Sequence, residues 1–198
     1  MKKILLTLFA LTLSLTSIFA NEAAVKEAII RNAKLQSEGK TMDVLNYYTN
    51  DYVEVDLDGN TKINYNEAAF IVKALDGKHP EEFMIWMSRM EHGKDPDAQE
   101  MKNLRAFIQT AEFKKNYSHI CNQVIHTAKK LGDLELKTMK FVNVEVKGNN
   151  AIAVVEYKFY DPADTDWKTT FTKRDTIKLR KVNGVWMYYE SASKKISR

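Results

Sequence analysis

Carboxylates at strand spacing are the side chains in this sequence best suited to chemistry. In "NDYVEVDLDG" (Asn50 to Gly59), Tyr52, Glu54 and Asp56 alternate with Val53, Val55 and Leu57, so the two rows must face opposite sides of a strand. The valine row is the more apolar, which predicts that it faces the core and that Asp56 faces away. A shift of one residue in register reverses every side chain, so the opposite arrangement stays open. Asp175 shares its parity with Phe171, Ile177 and Leu179 and is expected on the apolar side of its strand. Lys173 has that parity too, which makes an ion pair at a pocket rim the competing role for Asp175. A carboxylate in a partly apolar cavity has its pKa moved toward neutrality and can then shuttle a proton.

Other chemistries find less support. His119 and His126 are a heptad apart on a helical stretch, and His79 and His92 flank a short helix, so no metal-ligand spacing emerges and neither metal nor cofactor is expected. Cys121, the one cysteine, lies on an amphipathic stripe and reads as a buried thiol. Nucleophile-elbow, phosphate-loop and cysteine–histidine signatures are absent from the sequence.

The first residues, "MKKILLTLFALTLSLTSIFANEAA", have a basic start, an apolar run and small residues near Ala20. This is the layout of a signal peptide over 1–20, and the apolar run is short for a bilayer span of about 20 residues. The protein is therefore expected to be exported, periplasmic or secreted, with no stable membrane span after cleavage. Roughly 180 residues then remain, enough for a single domain over 21–198 with a substantial core. Losing Lys2 and Lys3 lowers the formal charge of +4 by two, and the lysines are dispersed, which argues against nucleic acid. An exported chain with one cysteine has no internal disulfide, so packing must hold the fold.

Several elements must position the carboxylates. Val25, Ala28, Ile29, Asn32 and Leu35 make a helical stripe that Gly39 ends. Thr41 is expected to cap a short helix turning Met42, Leu45 and Tyr48 inward. Asn64 and Glu67 form a capping-box pattern before Ala68, Ile71 and Leu75. Pro80 opens a helix bearing Phe83, Met84, Trp86, Met87 and Met90, rich enough in apolar surface to be either core or a ligand lid. Asp95 is expected to cap the next helix, with Pro96 behind it. A long stretch through Tyr117, Cys121, Val124, Ala128 and Leu131 follows, with a kink or break expected near Lys114–Asn116 and an end at Gly132. The period then changes to two over four strands joined by short loops, with Val185, Met187 and Tyr189 expected on one face of the last. Helices first and hairpins last predict an α+β domain.

A helix ending in "LQSEGKTMDVLNYYTNDYVEVDLDGN", a further helix, and a meander ending in "LRKVNGVWMYYESA" resemble the nuclear transport factor 2-like superfamily, which includes ketosteroid isomerases and SnoaL-type cyclases. The resemblance covers roughly residues 24–77 and 134–193, and it implies a cone-shaped, curved antiparallel sheet with N-terminal helices packed on it. The helical segment about 78–132 is an insertion relative to that pattern. The resemblance also implies that Asp56 stands at the isomerases' general base and Asp175 near their second acid, while Asn32 stands where they carry a tyrosine. Asn32, Tyr52, Tyr157, Phe171, Lys173 and Tyr189 are the expected ligand-contacting side chains of the implied pocket.

The leading expectation is an exported protein that binds a small apolar or amphipathic molecule between helices and sheet. The alternatives are an acid–base isomerase or cyclase using Asp56 and Asp175, and an interaction module in which the inserted helices form a homodimer or partner surface.

Overall fold

The computed structural model describes residues 21–55, 59, 62–161, 164, 166 and 168–197. Residues 1–20 and Asp56 lie outside this set, as does Leu57. Helix α1 covers 21–37, followed by α2 (Thr41–Val44), a 3₁₀ turn (Leu45–Tyr47), β1 (Tyr48–Val55), β2 (Lys62–Asn64) and α3 (Tyr65–Ala74). Three helices come next: α4 (Pro80–His92), α5 (Ala98–Phe107) and α6 (Ala111–Thr138). The chain ends in β3 (Lys140–Lys147), β4 (Asn150–Tyr160), β5 (Thr170–Val182) and β6 (Val185–Ser197).

The six strands form one sheet in the order β2-β1-β6-β5-β4-β3. Neighbours are antiparallel except the pair β1–β6, which is parallel and sets the first strand beside the last. Among the described residues no helix is long and apolar enough to cross a membrane.

Two apolar clusters hold these layers together. Val25, Ala28 and Ile29 of α1 press on Ala151, Ala153 and Val155 of β4, Ile177 and Leu179 of β5, and Trp186 and Tyr188 of β6. The second cluster joins Ala74, Phe83, Ile108, Phe113, Tyr117 and Cys121, so helices α4, α5 and α6 pack on α3 and on one another. Burying each large side chain there contributes about 1.5–3 kcal/mol. Cys121 is fully buried, which pushes its thiol pKa up and leaves it a packing group.

Helix α6 links the clusters. At 28 residues it is about 42 Å long, with Tyr117 and Cys121 in the second cluster and Leu131 and Glu135 against α1 and the sheet. It is not kinked at Lys114–Asn116, nor does it end at Gly132. The break falls earlier, where Thr110 caps the new helix by accepting from the Phe113 N–H at 3.2 Å. Gly132 is instead a contact glycine: a Cβ there would stand 2.4 Å from the Ser37 nitrogen and 2.9 Å from the Ala33 oxygen.

Local details correct other expectations. Asp97, not Asp95, caps α5 in a capping box with Glu100, while Asp95 pairs with Arg89. Lys40 precedes α2 without a side-chain cap, and Met42 is exposed. On α4 only Phe83 is fully buried, and Met87 and Met90 face outward with Met90 70% exposed. The Asn64–Glu67 capping box and the left-handed Gly39 occur as the sequence predicts.

Candidate functional site

Tyr52 is buried (2% exposed), whereas Val53 and Val55 are only half-buried. The row expected to face away thus faces in, because Tyr52 and Glu54 line a cavity between the helices and the sheet. The cavity has a volume of about 310 Å³. Helix α1 supplies Asn32 and Gln36, α6 supplies Leu131 and Glu135, and the sheet supplies Tyr48, Tyr157, Phe159, Lys173, Asp175, Tyr188 and Ser191.

The anchor of its floor is Asp175. Tyr157 donates its hydroxyl to Asp175 Oδ2 at 2.5 Å, Ser193 donates to Oδ1 at 2.8 Å, and Lys173 Nζ stands 3.3 Å from Oδ2. The Lys173 ammonium also lies 5.4 Å and 5.2 Å from the ring centres of Tyr157 and Phe159, within cation–π range. Parity put Asp175 and Lys173 on this side, and the pair is enclosed instead of standing at an open rim, with both side chains 13% exposed.

The opposite wall is tyrosine-rich. Tyr52 shares a 2.7 Å hydrogen bond with Ser191 and donates to Glu54 at 3.3 Å. Tyr48 stacks on Tyr52 with ring centres 4.2 Å apart and accepts from Asn32 Nδ2 at 3.4 Å. Burial raises the pKa of all four cavity tyrosines, Tyr48, Tyr52, Tyr157 and Tyr188, so their hydroxyls remain protonated. Asn32 is 4% exposed and its Oδ1 has no hydrogen-bond partner.

Glu135 lies beyond Gly132, where the sequence predicts the helix to end. The signal was nonetheless there: continuing the stripe of Val124, Ala128 and Leu131 by four residues reaches Glu135. Burial first and the nearby Asp175 charge second, partly offset by Lys173, together raise its carboxyl to about 7. An acid whose folded pKa exceeds its unfolded one of 4.5 favours the fold below that value, and the advantage is lost as pH rises through about 7. Glu135→Gln should therefore match the parent near pH 4 and exceed its stability above pH 7, by about 3 kcal/mol at most. Urea unfolding at the two pH values measures this, and equal stabilities at both would contradict the burial of the charge.

Two expected ligand contacts fall outside the cavity lining. Phe171 is fully buried behind it, against Phe159 with ring centres 5.8 Å apart. Tyr189 lies on the other face, where the Arg180 guanidinium sits 4.4 Å from its ring centre. Trp186 and Tyr188 are the buried residues of early β6, so Tyr189 alternates outward with Val185 and Met187, and a bulge follows. Leu179 pairs with Tyr188 while Lys178 pairs with Glu190, which leaves Tyr189 as the extra residue. Trp186 and Tyr188 point inward before the bulge, and Ser191 and Ser193 after it. Asp56 lies outside the described residues, so the structure groups Asn32, Tyr52, Tyr157, Lys173 and Asp175 around Glu135.

A second cavity of about 250 Å³ adjoins the first along Gln36, Tyr48 and Glu54, which line both. Val44, Leu45, Ile63, Ala68, Ile71 and Val72 make the rest of its wall largely aliphatic. Among the described residues no three His, Cys, Asp or Glu side chains converge as a metal site.

No family model matches the chain, and no curated protein matches it. Solved structures do resemble it. An NTF2-like protein with a cystatin-like fold from Novosphingobium aromaticivorans is 12% identical, covering 96% of this chain and 90% of its own, with a TM-score of 0.49. A ketosteroid isomerase-like protein from Erwinia carotovora atroseptica is 13% identical over 89% of this chain and 96% of its own, with a TM-score of 0.47. An NTF-2 like protein from Silicibacter pomeroyi is 11% identical over 88% and 94%, with a TM-score of 0.45. The order of its helices and its six-stranded sheet make this an α+β fold, and the solved structures it resembles are NTF2-like and ketosteroid isomerase-like proteins.

Proposed function

We propose that this is an exported protein that binds a small amphipathic molecule, with a polar part in the tyrosine-lined cavity and an apolar part in the aliphatic one. The observation that carries the proposal is Asn32 Oδ1, a buried acceptor on the cavity wall with no partner. Leaving such a group unsatisfied costs about 1–3 kcal/mol, which a ligand donor would recover. The basic and apolar start of the chain supports export. Native mass spectrometry of the protein purified from its own compartment should reveal a retained small molecule. Asn32→Ala should weaken retention about fivefold or more. An empty protein that also takes up nothing from a metabolite and lipid extract would discard the proposal.

Acid–base isomerisation or cyclisation is the alternative, and Glu135 is the observation that favours it. A carboxyl held near 7 and surrounded by protonated tyrosines has the balance of forms that proton transfer needs. In that chemistry Asp175, already accepting from Tyr157 and Ser193, would orient the tyrosine and Glu135 would carry the proton.

A further inference from the structure

The hydrogen-bond donors and acceptors of the cavity are out of balance. Tyr157 donates to Asp175, Lys173 is paired with the same carboxylate, and the Tyr52 hydroxyl is engaged by Ser191 and Glu54. Asn32 Oδ1, by contrast, accepts from nothing. Among the described residues Glu135 makes no hydrogen bond, and Lys173, the cavity's ammonium, is committed to Asp175 at 3.3 Å. Neutral donors remain in the Tyr48 and Tyr188 hydroxyls, but with Lys173 committed to Asp175 the chamber has no cation left to meet Glu135. Its aromatic walls suit one, since Lys173 already rests within 5.4 Å and 5.2 Å of two ring centres.

We propose that the ligand is an amphipathic amine, whose ammonium group lies between Asn32 Oδ1 and the Glu135 carboxylate against the tyrosine rings, and whose hydrocarbon part occupies the adjoining aliphatic cavity. This rests on the cavity being a ligand site and specifies the ligand's class. The ammonium supplies several donors and the missing charge in one group. The tail removes apolar surface from water against Val44, Leu45, Ile63, Ile71 and Val72. Gln36, Tyr48 and Glu54, which line both cavities, would flank the junction of head and tail.

Binding is then linked to the ionisation of Glu135. The titratable groups facing that cavity are Tyr48, Tyr52 and Glu54 from β1, Tyr157 from β4, Lys173 and Asp175 from β5, and Tyr188 from β6. The tyrosines stay neutral in the relevant range because burial raises them. An alkylammonium, like a lysine at about 10.4, stays charged through neutral pH. A cation prefers ionised Glu135, so affinity rises with pH through about 7. A carboxylate ligand would prefer the protonated form and show the opposite slope.

Isothermal titration of the purified chain with n-octylamine, n-octanoate and n-octanol at pH 6 and pH 8 separates these cases. Octylamine is expected to bind about tenfold more tightly at pH 8, following the fraction of ionised Glu135. Glu135→Gln should flatten that dependence and weaken binding at pH 8 by about the same factor. Octanoate binding more tightly than octylamine, or octylamine affinity that is flat or falling with pH, would overturn the amine. If octanoate or octanol binds instead, and Asn32→Ala weakens it, the cavity remains a ligand site for another class. Binding of none of the three would overturn the amine and count against the cavity as a site for amphipathic molecules.

Discussion

Replacing Gly132 with alanine should destabilise the protein by about 2 kcal/mol or more and lower its melting temperature by roughly 4–8 °C. In an ordinary helix interior the same change would add about 1 kcal/mol of stability, because glycine loses more backbone entropy than alanine. Here the sign reverses. The new Cβ would lie 2.4 Å from the Ser37 nitrogen, 2.9 Å from the Ser37 Cα and 2.9 Å from the Ala33 oxygen, all backbone atoms of α1 that cannot rotate away. Helices α1 and α6 would have to separate. Asn32 and Glu135, which line the cavity from those two helices, would separate with them. Differential scanning calorimetry measures the first effect and ligand retention the second. A melting temperature equal to or above the parent's would mean that the helices do not cross at Gly132.

Asp175→Asn should cost about 3–5 kcal/mol, since it removes one member of an enclosed ion pair and leaves the Lys173 charge uncompensated. The amide also weakens what Asp175 accepts from Tyr157 and Ser193. The same change should lower the Glu135 pKa below about 7. It deletes the negative charge that raises that carboxyl and frees Lys173, whose effect is to lower it. Stability lost to Glu135 would then disappear over a narrower interval above 4.5. Carbon-detected NMR titration of the Glu135 side chain reads the shift directly. A Glu135 midpoint that stays put or rises would show that the two carboxylates do not sense each other.

Both predictions turn on positions that the one-dimensional pattern treats differently. Asp175 and Lys173 were legible because β5 keeps a strict period of two, with Phe171, Ile177 and Leu179 marking the buried side. Glu135 was hidden by a glycine. A glycine after a basic pair is a common helix stop, but nothing local distinguishes it from a glycine that lets another helix approach. Tyr189 faces outward because the buried row of early β6 is Trp186 and Tyr188, and the bulge that follows, which leaves no mark in the hydrophobic alternation, turns Ser191 and Ser193 inward. The β1 row was misjudged for a related reason. A polar-lined cavity inverts the rule that the more apolar face is the inner one, so Tyr52 and Glu54 line it while Val53 and Val55 are left half-buried.

The sequence by itself determined the element types, the order of helices before hairpins, the Asn64–Glu67 and Pro80 helix starts, the left-handed glycines, and the inward side of β5. Each of these follows from interactions within a few residues, or from a periodicity that one segment carries alone. Only the tertiary structure decided that Gly132 is a helix crossing, that Tyr188 instead of Tyr189 enters the cavity, and that Glu135 lines the same cavity as Asp175 and Asn32. Those outcomes depend on strand register and on helix approach between segments distant in sequence. Such choices are made by the packing energy of the assembled layers, which no single segment contains.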